Sequence, residues 1–191
     1  MDVYIFWGSL LLLICMFIGL KVITHESQDS LLKIVQENGD WYERKRAFNK
    51  LSKVSLKKVA TTTNQDKAMQ IAAKIILNQT NWSKEFSNTS SEHLDWVIGA
   101  AALVENPKPT PASIVNACHR YIRQGEYSRI PELRNLLLRF GDKTLAEDYL
   151  NCGNGKLYNA ACEWCKQNSY NIGSGNGSHR VRWGEARNNS Y

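Results

Sequence analysis

Three clusters in this sequence hold side chains that could do chemistry. Cys162 and Cys165 form a C-x-x-C pair, with Cys152 ten residues earlier and His179 further on. Thiolates and imidazoles in such sets hold zinc tetrahedrally, so Cys152, Cys162 and Cys165 are the candidate metal ligands. A C-x-x-C inside a regular helix lacks the knuckle turn of zinc ribbons, and reduced thiols serving as small apolar residues are the simpler expectation. Arg44, Lys45, Arg46, Lys50, Lys53, Lys57 and Lys58 make a basic stretch. Arg46, Lys50, Lys53 and Lys57 recur at helical spacing and would line one edge of a continuous helix, suited to an anionic lipid surface. An ordinary solvated face is the competing expectation. Between Gly173 and Gly184, glycines interleave with Arg180, Arg182 and Trp183, which could grip a carboxylate, a phosphate or a base. No strand-and-helix context surrounds those glycines, so a flexible tail is the alternative.

Nothing else has catalytic spacing. His25, His93, His119 and His179 are isolated, and no H-E-x-x-H, G-x-S-x-G or phosphate-loop pattern occurs. Glu147 and Asp148 read as solvated charges on a helix surface. The chain is expected not to be an enzyme, and no cofactor is implied.

The element that decides where these residues work is the run Val3 to Ile23, apolar almost throughout, with Lys21 as its only charge. At about 1.5 Å per residue it matches the roughly 30 Å hydrocarbon core of a bilayer. A cleaved signal peptide would carry a basic start, a shorter apolar core and small residues before the cut, so a retained single-pass anchor is expected. Lys21 lies at the C-terminal end of the span, Lys33, Arg44, Lys45 and Arg46 follow it, and no Lys or Arg precedes it. The positive-inside rule then places the body in the cytoplasm. N-x-S/T matches at Asn78, Asn81, Asn88, Asn176 and Asn188 read as chance in a chain this rich in Asn and Ser.

Charge and cysteine content agree with that compartment. Lys and Arg number 24 against 18 Asp and Glu, a net +6, which favours acidic partners. Five cysteines is an odd count without the regular spacing of a disulfide-stapled secreted domain.

Past the anchor the periodicity is helical. A short helix over Leu31 to Val35 ends at Asn38-Gly39, and Asp40 caps a second that runs to about Val54. A weaker helix covers Leu56 to Ala60, and one begins at Asn64 to Asp66 with Ala68, Ile71, Ala72, Ile75 and Ile76 to bury. Asn78 to Ser90 reads as the longest loop, pinned by Trp82 and Phe86. Glu92 to Glu105 is helical, with Leu94, Val97, Ile98, Ala101 and Leu103 inward, and Pro107, Pro109 and Pro111 make a stiff corner. Helices then start at Pro111, Pro131 and Asp142, and a last one carries Leu157, Ala160, Ala161 and Trp164. From Tyr170 the chain reads as extended tail. The expected domains are an anchor over 1–23, a helical-repeat body over 24–168 and a Gly/Arg-rich tail over 169–191.

About nine short amphipathic helices without a convincing strand imply an all-α fold of stacked helix pairs. Asp40 to Leu51, with Arg44 or Arg46, Ala47 and Leu51, resembles the second helix of a HEAT/armadillo-type repeat. Pro131 to Lys166 resembles a further pair and a half of such a solenoid, and the likeness spans most of residues 29–168. Asp66 begins a similar helix without the arginine. The expected architecture is a single transmembrane helix, read from the apolar run, followed by a short α-solenoid; the resemblance implies a surface for other macromolecules and no shared chemistry. The expected function is a membrane-anchored scaffold or adaptor with a protein partner, its groove and basic tail making the contacts. The alternatives are a membrane-tethered nucleic-acid-binding repeat module and a cysteine-based metal protein.

Overall fold

The computed structural model describes residues 28–37, 39–62, 66–88, 90–125, 127–173 and 182–183. They form an all-α protein in two compact units, one reaching to Leu56 and the other starting at Lys57. The stretch expected to be an anchor, Val3 to Ile23, lies outside the described residues. No helix among the described residues is long and apolar enough to cross a membrane.

The first unit is a helical hairpin, α1 (residues 28–36) and α2 (Trp41–Asn49), followed by the start of α3 (Lys53–Thr61). Asp40 caps α2 by accepting from the Glu43 N–H at 3.1 Å. Leu32 and Val35 of α1 bury against a core that also holds Ala47 and Phe48. The Arg44 guanidinium donates to the Val35 carbonyl at 3.4 Å, placing a cation at the C-terminal end of α1 where the helix dipole is negative.

The helix expected from Asp40 to Val54 is broken. α2 ends at Asn49, and Leu51 and Ser52 leave the helical path before α3. Two competitors explain the break, one local and one distant in sequence. Ser52 Oγ accepts from Ser55 N–H at 3.2 Å, the bond of a new N-cap. Gln28 meanwhile donates to the Lys50 carbonyl at 3.2 Å and accepts from the Ser52 N–H at 2.8 Å, occupying groups a continuing helix would have paired internally. The line of four cations on one helix is therefore not formed. Arg46 and Lys50 belong to α2 and its cap, Lys53 and Lys57 to α3.

The second unit holds α4 (Lys67–Ile76), α5 (Trp82–Ser87), α6 (Ser91–Leu103), α7 (Pro111–Arg123), α8 (Ile130–Phe140), α9 (Lys143–Asn151) and α10 (Gly155–Gln167). Short polar residues start them: Asp66, Asn81, Ser90, Thr110, Asp142 and Asn154 each accept a backbone N–H as N-caps. The even-numbered helices pack in succession, α4 on α6, α6 on α8 and α8 on α10. α7 packs on α9, and contacts of α6 with α7, α7 with α8 and α9 with α10 join the two rows.

α6 is buried on nearly every side from Val97 to Leu103, because its run of Gly and Ala lets neighbours approach closely. A Cβ at Gly99 would lie 2.6 Å from the Ala68 Cβ and 2.7 Å from an Arg129 Nη1. Arg139 serves the far end of α6, donating to the carbonyls of Ala101, Ala102 and Val104 at 3.3, 3.2 and 2.9 Å. These are groups the last turn of a helix leaves unpaired.

The expected long loop over Asn78 to Ser90 contains α5. Its aromatic pins hold: Trp82 stacks on Phe86 with centroids 5.8 Å apart and donates to the Pro107 carbonyl at 2.7 Å. The tail also departs from a plain extended chain, since Ile172–Gly173 (β1) pairs antiparallel with Arg182–Trp183 (β2), Ile172 opposite Trp183.

Candidate functional site

In the first unit, α1 and α2 border a groove of about 260 Å³ lined by Leu31, Ile34, Glu43, Arg46, Ala47 and Lys50. The small side chain of Ala47 sets its floor, with Phe48 buried beside it. Arg46 and Lys50, one turn apart on α2, stand at its side, and neither makes a side-chain ion pair among the described residues. Trp41 and Tyr42 meet edge to face at the start of the same helix, with centroids 4.9 Å apart, and Lys45 Nζ lies 5.3 Å from the Trp41 ring centre. Tyr42 and Ile34 are exposed, and Val54 on α3 is 68 % exposed. Exposed aliphatic and aromatic groups thus occur in the same unit as the cations.

Of the other basic candidates, Lys53 and Lys57 are exposed on α3, with Lys57 in the second unit. Arg182 and Trp183 form β2, whose backbone lies against α9. Arg180 and His179 lie outside the described residues.

Among the described residues no group of three or more His, Cys, Asp or Glu side chains is placed to hold an ion, so Cys152, Cys162 and Cys165 do not converge as a site. Cys162 and Cys165 do share α10, as their spacing implies, and Cys152 sits in the turn before it. Burial pushes the Cys165 thiol up to about 11, aided by Cys162 alongside. Burial likewise pushes Cys118 up to about 12. Cys152 is raised by burial, and its Sγ donates to the Tyr149 carbonyl at 3.2 Å. Such thiols stay protonated at neutral pH, which makes them slow nucleophiles. An open hollow of about 450 Å³ borders Cys162, Cys165, Lys166 and Tyr170 at the C-terminal end of α10.

Two polar clusters were invisible in sequence. His119 reads as isolated and Asp148 as solvated, yet His119 Nδ1 pairs with Asp148 Oδ2 while Nε2 lies 3.1 Å from Thr144 Oγ1. The order of hydroxyl, imidazole and carboxylate is that of a hydrolytic triad, but the protons run the wrong way. Thr144 donates its hydroxyl hydrogen to Asp142 at 2.7 Å, so that hydrogen is directed at a carboxylate and not at the imidazole. The cluster is a clasp between α7 and α9.

The second cluster centres on Arg129, whose side chain is 15 % exposed and faces Asp66, Asp95 and Glu132 from α8's N-terminus. Tyr121 donates to Asp95 at 2.7 Å and shares a hydrogen bond with Ser128. All these groups satisfy one another, which makes the cluster a structural tie joining α4, α6, α7 and α8. No protein-family model matches the chain, and no match is found among curated proteins or among solved structures.

Proposed function

We propose that this chain is a membrane-tethered helical-repeat scaffold that binds another protein. In this reading the apolar run Val3 to Ile23 holds it to a bilayer with the body on the cytoplasmic side, and the second unit presents the binding surface. The observation that carries the scaffold reading is the two-row packing: α4, α6, α8 and α10 in succession on one side, α7 on α9 on the other. Helical-repeat solenoids are built this way, and a row of parallel-stacked helices offers one continuous face to a partner. The even row bears the exposed apolar residues of that unit, Leu138 on α8 and Tyr158 on α10, beside an Arg134–Glu163 ion pair of 2.6 Å.

Photo-crosslinking in native membranes tests this. A crosslinking side chain at Leu138 or Tyr158 of the full chain should yield one adduct of defined mass, absent when the same group replaces Arg123 on the odd row. Identical adducts from both rows, or none from the even row, would overturn the proposal.

A further inference from the structure

The first unit concentrates features that the second does not. Of the exposed large apolar side chains among the described residues, Ile34, Tyr42 and Val54 lie in the first unit, against Leu138 and Tyr158 in the much longer second. Over α2 and the start of α3, Arg44, Lys45, Arg46, Lys50 and Lys53 face a single acid, Glu43. Arg44 is committed to the end of α1, whereas Arg46 and Lys50 border the groove that Leu31 and Ile34 make apolar. Long cationic side chains beside aliphatics, with Trp41 and Tyr42 on the same helix, match the boundary between lipid headgroups and acyl chains.

We infer that the α1–α2 face docks on the anionic headgroup layer of a bilayer, with Arg46 and Lys50 meeting lipid phosphates and Ile34 and Leu31 reaching the acyl boundary between them. The occupant follows from charge and shape together. A groove of about 260 Å³ lined by the aliphatics Leu31 and Ile34 and the cations Arg46 and Lys50, with Glu43 as its one acid, suits a headgroup and the first methylenes of its chains. The inference rests on the proposed tether in one respect: an anchor ending at Ile23 leaves Thr24 to Ser27 before α1, which would hold this face close to the leaflet and raise its effective concentration there. Each cation near an anionic leaflet shifts docking by roughly fivefold, so losing Arg46 and Lys50 shifts it by roughly thirtyfold.

The test uses the full chain in vesicles of phosphatidylcholine alone or with about 30 mol% phosphatidylserine, reading amide hydrogen exchange across residues 28–50 and flotation of the chain. Docking predicts slower exchange in this segment only with phosphatidylserine. The protection should fade as salt rises from about 0.1 M to about 0.5 M and disappear in both the Arg46→Gln/Lys50→Gln and the Arg46→Glu/Lys50→Glu variants, with exchange across α6–α10 unchanged as the folding control. Equal exchange in the two vesicles, with the chain floating in both, overturns docking and leaves the tether standing. Flotation with neither vesicle overturns both. Protection of the segment by added RNA and not by phosphatidylserine would also overturn the inference, in favour of a nucleic-acid partner.

Discussion

Arg129 grips Asp95 side-on, its Nε and Nη2 reaching the same carboxylate oxygen at 2.8 and 2.7 Å. The same guanidinium lies 3.5 Å from Asp66 and 3.2 Å from Glu132, so one cation from the start of α8 faces three acids from three helices. Burial works to raise the Asp95 carboxyl, but hydrogen bonds from Arg129 and Tyr121 outweigh it and hold the group below the ordinary carboxylate range. Glu132 goes the other way: burial raises it, and Arg129 only partly offsets the shift.

The two acids should consequently give opposite pH signatures. Asp95, depressed on folding, contributes stability that is present above its unfolded value of about 3.9 and lost as pH falls through the lower folded value. Glu132, raised on folding, contributes stability below its unfolded value of about 4.3 that is lost as pH rises through the higher folded value. In chemical denaturation at neutral pH, Asp95→Asn is expected to cost on the order of 2 kcal/mol, and Arg129→Met about 3 or more, since each strands buried charge. Glu132→Gln should cost clearly less than Asp95→Asn. The Asp95→Asn penalty should fade towards about pH 3, and an equal penalty for both acids at every pH would refute the assignment.

Gly99 is a contact requirement rather than a flexibility requirement. The nearest obstacle to a side chain there is the Ala68 Cβ on the adjoining helix, which has no rotamer to yield. Gly99→Ala should lower stability by roughly 1–3 kcal/mol in spite of the better helix propensity of alanine. Ala68→Gly in the same background should recover part of that loss, measured as a thermal-unfolding midpoint. Full stability of the single variant would show that the helices separate freely.

Gln28 holds the first unit's second turn closed through Lys50, Ser52 and Ser55. Gln28→Ala should weaken this turn by about 1–2 kcal/mol. The expected readout is faster amide exchange at Ser52, with α6–α10 unaffected. Unchanged exchange at Ser52 would mean that its N-cap alone breaks the helix.

The clasp between α7 and α9 depends on both ring nitrogens of His119. His119→Leu and Thr144→Val are each expected to destabilise by about 1 kcal/mol, with Thr144→Ser near wild type because the hydroxyl survives. Ester or amide hydrolysis abolished by Thr144→Val would contradict the proton directions set by Asp142.

Alkylation should rank the thiols by burial. Cys118 and Cys165, raised to about 12 and about 11, should resist iodoacetamide in the folded protein near pH 8 and react once it unfolds. Peptide mass spectrometry resolves the sites. Rapid labelling of Cys118 in the native state would show that α7 opens locally.

By itself the sequence determined what nearest neighbours decide. Asp40, Asp66 and Asp142 start helices because a short carboxylate bonds an amide two or three residues ahead, and the stripe of Leu133, Leu136 and Leu137 turns one face of α8 inward at the helical period. The thiol pair of α10 was placed by the same local arithmetic. Tertiary structure decided whatever depends on distant partners. The helix after Asp40 stops at Asn49 in part because Gln28 reaches across 22 and 24 residues to its end. His119 acquires a role only when α9 brings Asp148 from 29 positions away, and Asp95 meets Arg129 across 34. Hydrogen bonds and charges act over a few ångströms in space, and separation along the chain carries no record of which groups folding brings that close.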